Sequence, residues 1–406
     1  MAVNHAMEPI LITGLGAFGA AGRNCAELWE NCRQGRSLAE LREFSGLRLP
    51  AYSAPDPILS RTDAHLVRLA GRSAALALAA AREAWEDARL APGSIDPTRV
   101  GLILGTSRGP ADIVDASLLR KSKRPSEAIY TAFSSTAGII ASALNIQGCV
   151  LSVSATCTSG ASAIHTALHF LRSGELDLVL AGGLDAPLID SSMHRMAATG
   201  VLSSSGRCRD ALRPFDLDRD GTVLGEGAAF LILETYQSAQ GRQAHSHGKL
   251  LGSFLTCDPN SRSRPTENFE GLQRAVRSVL HSASISPASV DLIHLHGTGT
   301  RVNDHMESVC VNGLFGSTST QPVCWGSKGI TGHTLGAASS FQAVLTLLAM
   351  RNSFLPPTTN CFNQDPACAI HLQLNSGVER KIENALCLTS GFWGKNSCLF
   401  LGSSDV

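Results

Sequence analysis

Residues 152–168 read SVSATCTSGASAIHTAL. Val150, Leu151 and Val153 make a strand-like run at its start, and Ile164, Leu168 and Leu171 recur at helical spacing beyond it. Cys157 stands where the strand gives way to the helix. Unpaired N–H groups and partial positive charge at a helix N-terminus stabilise a thiolate there, so the position predicts a nucleophilic cysteine. Its small neighbours Ala155, Ser159, Gly160 and Ala161 leave room for a substrate to approach. The plain alternative is an inert core thiol, since free cysteine is among the most buried residue types. Context has to separate the two.

The 406 residues suffice for one large or two medium domains around a substantial core. Lys+Arg and Asp+Glu number 34 each, which lacks the basic excess of a nucleic-acid binder. A hydrophobic content of 44% with 17% charged residues is equally unlike a disordered chain. Twelve cysteines would suggest a disulfide scaffold in a small secreted chain, which this long chain does not resemble, and the lack of any CxxC pair argues against a zinc site. The opening MAVNHAMEPILITG has no basic region before its short apolar run, and no apolar stretch reaches membrane-spanning length. A cytoplasmic protein with reduced thiols is the expectation.

Outward from Cys157, strands and helices alternate. Residues 10–13 predict a first strand, followed by GLGAFG at 14–19 and a helix over 25–32. GLGAFG fits the dinucleotide-binding spacing, but the second strand with its terminal acid is missing downstream. A tight glycine turn from strand to helix is the better reading, and residues 36–52 show no clean buried strand. A long helix is predicted over 65–90, ended by Pro92 and Gly93, then a buried strand over 100–106. Residues 108–126 form a polar excursion, 135–144 a helix, and 176–186 another buried strand. Asp216, Asp218, Asp220 and Gly221 resemble a calcium loop, yet a turn and a strand over 228–234 come next rather than a helix. The polar stretch 237–249 joins two halves with the same order of elements, a strand from 252, a helix over 268–281 and strands over 290–294 and 322–325. This α/β pattern predicts an internal duplication, divided into residues 1–245 and 246–406.

The second half carries two histidines in glycine- and threonine-rich turns at strand ends, where backbone can approach a ligand. His296 lies in LIHLHGTGT, and His333 in GSKGITGHTLGAASS with Lys328 upstream. Gly391, Phe392 and Gly394 interrupt two late strand-like runs. Each histidine alone is more often structural than catalytic.

Taken together, LITGLGA, ATCTSGA, PFDLDRDG, GEGAAFLILE, HGTGTRVNDHMES, SKGITGHTLGAASS and SGFWGKN occur in an order that resembles the β-ketoacyl-carrier-protein synthases of the thiolase superfamily. The resemblance spans nearly the whole chain. It implies a five-layer αβαβα sandwich of two similar halves, usually dimeric. It matches Cys157 to the nucleophile, His296 and His333 to the catalytic histidines, and Lys328 to the active-site lysine. Glu307 and Asp304 fall at the acidic positions after HGT, and Thr298 and Thr300 at the threonines that touch phosphopantetheine. Phe392 matches the gating phenylalanine, whose N–H would join that of Cys157 in an oxyanion hole. The implied reaction is acyl transfer from a carrier protein to Cys157, then decarboxylative condensation with a malonyl carrier. It needs no cofactor or metal beyond the carrier's phosphopantetheine. The implied partners are an acyl carrier protein and an identical or related ketosynthase-like subunit.

Two departures stand out. The late loop reads GFWGKN where GFGGTN is common, with Trp393 and Lys395 as the changes, and GLGAFGAAG replaces a start that commonly holds a serine-proline pair. Both point to a specialised polyene or polyketide pathway rather than housekeeping fatty-acid elongation. Three rivals share the fold. A carrier-dependent acyltransferase without decarboxylation is disfavoured by the histidine pair, and a non-catalytic chain-length partner by Cys157 itself. A thiolase using coenzyme A would need a second catalytic cysteine, and Cys398 reads as core.

Overall fold

The computed structural model describes residues 8–91, 93–120, 125–204, 206–259 and 269–404. Residues 1–7, Pro92, Asn268 and the part of the polar excursion at 121–124 lie outside that range. The strands of the first half are β1 (Ile10–Gly19), β2 (Glu40–Phe44), β3 (Leu47–Ala51), β4 (Val100–Thr106), β5 (Val150–Val153), β6 (Leu178–Asp185) and β7 (Gly227–Thr235). Those of the second are β8 (Gly248–Cys257), β9 (Leu292–His294), β10 (Val323–Trp325), β11 (Phe354–Leu355), β12 (Val378–Glu379), β13 (Asn384–Gly391) and β14 (Lys395–Gly402).

Ten of these strands form one mixed sheet in the order β10-β9-β13-β14-β8-β1-β7-β6-β4-β5. Within each half the order is the same: first, fifth, fourth, second, third of its sheet strands. The sense of pairing repeats as well. β1–β7 and β7–β6 are antiparallel and β6–β4 and β4–β5 parallel, and β8, β14, β13, β9 and β10 repeat that sequence. A short antiparallel pairing of β1 with β8, Ile10 opposite Leu250, joins the halves.

The helices fill the layers that this duplication leaves. Ser159–Arg172 and Ala338–Arg351 share a core with both halves of the sheet, through residues such as Ile164, Leu168, Val344 and Leu345. Gly71–Asp87 and Ser135–Leu144 cover the outer face of the first half, and Glu270–Ala283 and Arg301–Phe315 that of the second. The result is the expected αβαβα stack. The two central helices touch closely, because a Cβ on Gly160 would lie 2.2 Å from Ser340 Oγ.

Several local expectations are corrected. GLGAFG is not a turn but the continuation of β1, which runs to Gly19 with a register shift between Ile12 and Gly14. Its glycines serve packing: a Cβ would stand 2.3 Å from Ala84 O at Gly14 and 2.1 Å from Ala80 O at Gly16. The Gly71–Asp87 helix therefore lies directly on the strand, and its carboxylates accept backbone N–H groups of β1 beyond the short stretch that pairs with β8. Leu15 N donates to Asp87 at 2.8 Å and Ala17 N to Glu83 at 2.8 Å. The helix predicted over 65–90 is two, Arg61–Val67 and Gly71–Asp87, broken at Gly71 with φ +76. Residues 40–51 form the β2–β3 hairpin, which the irregular hydrophobic pattern concealed. The acidic turn at 216–221 spends its first carboxylate on backbone: Asp216 accepts from Asp218 N within the turn and from Phe362 N and Asn363 N of a distant segment. No helix is long and apolar enough to cross a membrane among the described residues.

Candidate active site

β5 ends at Val153, the Ser159–Arg172 helix begins six residues later, and Cys157 lies between them. The connection is tight. Thr156 adopts φ +54, a left-handed conformation uncommon for a β-branched residue. Side chains hold the turn: Thr158 Oγ1 donates to Ala155 O at 2.7 Å, Ser159 Oγ to Thr156 O at 2.7 Å, and Ala155 N to Ser159 Oγ at 2.9 Å. From the second half, Ser339 Oγ accepts the N–H of Ala161 at 2.7 Å and so anchors the start of the helix.

His296 follows β9, and His333 follows the short Lys328–Thr331 helix. A strap from the first half fixes His333, whose N–H donates to Val223 O at 2.8 Å while its carbonyl accepts from Gly225 N at 3.0 Å. That strap is the GTVLGEG segment, so the conspicuous acidic motif before it serves the site by position. His333 Nε2 lies 3.3 Å from Cys157 Sγ. The two imidazoles meet edge to face, their centroids 5.3 Å apart. One ligand atom from each of Cys157, His296 and His333 falls within 4.8 Å of the others.

Lys328 Nζ, fully buried, lies 3.2 Å from His296 Nδ1 and also donates to His296 O. An ammonium only donates, so Nδ1 accepts and the ring proton resides on Nε2. Glu307 reaches the backbone instead of the rings, accepting from His296 N at 2.5 Å and Gly297 N at 2.9 Å. Asp304 holds the next layer, taking Phe215 N at 2.8 Å and Gly299 N at 3.2 Å. Thr298 and Thr300 pair hydroxyls at 2.9 Å, and Thr300 caps the Arg301–Phe315 helix.

The late loop comes down on Cys157. A Cβ on Gly391 would stand 2.2 Å from Thr156 Oγ1 and 3.2 Å from Cys157 N, so Phe392 begins its turn beside the Cys157 backbone. Asp258 N donates to Gly394 O at 2.9 Å, and Asn396 Nδ2 ties Gly394 O to the Asp258 carboxylate at 3.0 Å each. Trp393 takes φ +65 and is 62% exposed, which places the indole on the surface rather than in the pocket.

Electrostatics correct one expectation. Burial pushes the Cys157 thiol up to about 11, although Lys328 and Arg108 pull it back. A helix N-terminus is worth at most about 2 kcal/mol to an anion, and desolvating a charge costs several. Burial thus favours the thiol over the thiolate, and His333 is the base within reach. Both histidines are pushed well below the ordinary range, first by burial and then by the Lys328 charge, so both imidazoles are neutral. Burial also lowers Lys328 and raises Glu307. Cys, His and His are donors that a soft metal ion accepts, but the Lys328 ammonium behind His296 opposes a dication. Alkylation of Cys157 by iodoacetamide is expected to rise about tenfold per unit between roughly pH 7 and 10. Peptide mapping would measure it, and a plateau reached below about pH 8 would instead mean a resting thiolate.

Three contributors escaped the sequence. Thr156 supplies the strained turn, Asp185 braces the loop after β4, and Arg108 on that loop faces the nucleophile's surroundings. Their only sequence signals were a threonine before the cysteine and an aspartate closing a glycine-rich strand. His294, beside the expected His296, is a satisfied core residue bonded to Thr346 and Ser327 at 2.8 Å each.

Comparison with known proteins agrees with this geometry. The β-ketoacyl synthase N-terminal domain matches residues 7–239, and the C-terminal domain residues 247–362. The chain is 32% identical to nodulation protein E of Rhizobium sp. (strain N33), over 96% of this chain and 98% of that protein. It is 29% identical to 3-oxoacyl-[acyl-carrier-protein] synthase 2 of Coxiella burnetii, with coverage of 97% and 98%. A putative polyketide β-ketoacyl synthase 1 of Streptomyces cyaneus matches at 31%, covering 97% of each chain. Among solved structures, a type II polyketide acyl-carrier protein in complex with its hexaketide-bound ketosynthase aligns with a TM-score of 0.88 at 30% identity, covering 98% of this chain and 99% of that one. The ishigamide ketosynthase/chain length factor gives the same TM-score, identity and coverage. With both domains of that family matched in order and relatives above 30% identity along nearly the whole chain, the chain belongs to the β-ketoacyl synthase family of condensing enzymes.

Proposed function

We propose that the protein transfers an acyl group from a carrier protein to Cys157 and condenses it with a malonyl carrier. The convergence of Cys157 Sγ with His296 and His333 within 4.8 Å carries this reading. In the first step His333 Nε2 takes the thiol proton while Sγ attacks the acyl thioester carbon. The bond to the phosphopantetheine sulfur breaks, and that sulfur leaves with the proton. In the second step the bond between the malonyl α-carbon and its carboxylate breaks, carbon dioxide departs, and the electron pair remains as an enolate. His296 supplies a fixed Nε2–H to the enolate oxygen, and His333 becomes a second donor once its ring proton has passed from Nδ1 to Nε2 through solvent. The α-carbon then attacks the acyl-Cys157 carbonyl, and the bond to Sγ breaks, releasing the ketoacyl carrier and a Cys157 thiolate that takes a proton from water. Backbone N–H groups of Cys157 and Phe392 hold the tetrahedral oxyanion, a role worth about 3 kcal/mol per donor.

Lys328 fixes the tautomer of His296, and Glu307 and Asp304 fix the HGTGT backbone on which Thr298 and Thr300 meet phosphopantetheine. No free cofactor enters. Residues 1–245 and 246–406 act as two fused halves, one bringing the nucleophile and the other the histidines. Partner subunits fit along β5, which is an edge strand, carries the half-exposed Leu151 and leads into Cys157. Relatives named for acyl-carrier-protein-dependent and polyketide synthesis support a fatty-acid-like or polyketide pathway, and the surface Trp393 favours a specialised member with its own carrier contact.

Intact-protein mass spectrometry with a panel of acyl carriers tests the reading. An adduct discharged by malonyl carrier into a ketoacyl product is expected. An adduct that malonyl carrier leaves in place, but an amine or alcohol clears, would make the protein an acyltransferase. No adduct from any donor would favour a chain-length partner.

A further inference from the structure

Arg108 sits on the turn after β4, and the buried Asp185 carboxylate sets that turn from the end of β6. Asp185 accepts from Thr106 Oγ1 at 2.9 Å, Ser107 N at 3.0 Å, Arg108 N at 2.9 Å and Gly336 N at 2.6 Å. Those four donors occupy it, so the carboxylate positions the Arg108 backbone without pairing with the side chain. Among the described residues no carboxylate pairs with the guanidinium. Its hydrogen-bond contact is Met196 Sδ at 3.1 Å, and its Nε is buried with no acceptor. Met196 belongs to the apolar group of Met193, Leu202, Leu224 and Leu335 against which Cys157 packs. The guanidinium thus stands at an apolar wall shared with the nucleophile.

The condensation mechanism gives this cation no task, since Lys328 sets His296 and backbone N–H groups serve the oxyanion. A guanidinium has five N–H donors and cannot lose its charge, so an apolar setting penalises it unless an oxygen arrives. A saturated acyl chain brings none. A chain with a carboxylate or oxo group beyond the thioester carbonyl brings the acceptor, and a carboxylate can engage the guanidinium through two N–H groups.

The structure assigns Arg108 as a specificity-determining residue that selects acyl groups bearing an acceptor oxygen over saturated chains of equal length. This rests on the ketosynthase reading above. Such a site discriminates because the analogue lacking the oxygen leaves the buried Nε–H of the half-buried Arg108 unpaired.

The test measures loading of Cys157 by intact mass, using carrier-bound six-carbon donors that are saturated, 3-oxo or ω-carboxylated. Wild type is expected to load at least one oxygenated donor faster than the saturated one, by about tenfold or more. The favoured donor identifies the acceptor as oxo or carboxylate. Arg108→Met should erase or reverse the ratio, and Arg108→Lys should keep part of it. Equal loading of all three donors by wild type would overturn the assignment, and this arm depends on no variant's folding. An unchanged ratio in folded Arg108→Met would overturn it too. Absence of any adduct on wild type is a different failure, because it removes the ketosynthase reading itself.

Discussion

Cys157→Ala is expected to lose condensation by at least about 10⁴-fold while still decarboxylating malonyl carrier. The two half-reactions use different atoms. Acyl loading needs Sγ, which attacks, and His333 Nε2 at 3.3 Å, which takes the proton. Decarboxylation needs N–H donors at the enolate oxygen, and the thiol contributes none. The support for those donors lies elsewhere in the chain. Lys328 holds Nδ1 of His296 at 3.2 Å, Glu307 holds the His296 backbone, and the 223–225 strap holds His333. Alanine at 157 disturbs none of them and relieves rather than crowds the turn. Carbon dioxide release and ketoacyl product, measured in parallel from one malonyl-carrier preparation, would quantify the split. If both activities fell together, the separation of roles would be wrong and the thiol would take part in decarboxylation as well.

That separation was partly readable in the sequence alone. Cys157, His296, His333 and Lys328 each sit in small-residue turns at strand ends, and such turns are local in sequence. The repeat of strand order was readable for the same reason, because each element carries its own hydrophobic period. What the sequence hid depends on contacts between distant segments. Asp185 braces Arg108 across 77 residues and Gly336 across 151, and no local pattern encodes either contact. GLGAFG misleads because a glycine needed for a turn and one needed beneath a helix look identical. Only Ala80 and Ala84, more than 60 residues on, reveal which role applies. The acidity of Cys157 also depends on distant contacts. Position at a helix start is visible in sequence, whereas the burial that outweighs it comes from the whole fold.

The histidine pair gives the second large effect, and the two positions should fail differently. His296→Ala and His333→Ala are each expected to slow malonyl decarboxylation by about 10²- to 10³-fold, the cost of removing one donor to a developing oxyanion. Acyl loading separates them. His333 is the imidazole in contact with Sγ, and burial holds the thiol at about 11, so the thiol needs a base at neutral pH. His333→Ala should therefore also slow loading, and the loss should shrink as pH rises toward the thiol's own range. His296 faces Lys328 through Nδ1 and does not bond Sγ, so His296→Ala should load within a fewfold of wild type. Because burial, then Lys328, keeps both imidazoles well below their ordinary range, they remain neutral on mild acidification. Decarboxylation by wild type should accordingly show no acid limb near pH 6.5, the ordinary histidine value. Stopped-flow loading and carbon dioxide release on the two variants would decide the matter. Full decarboxylation by His333→Ala would remove that residue from the enolate site, and equal loading defects in both variants would remove the distinction between base and donor.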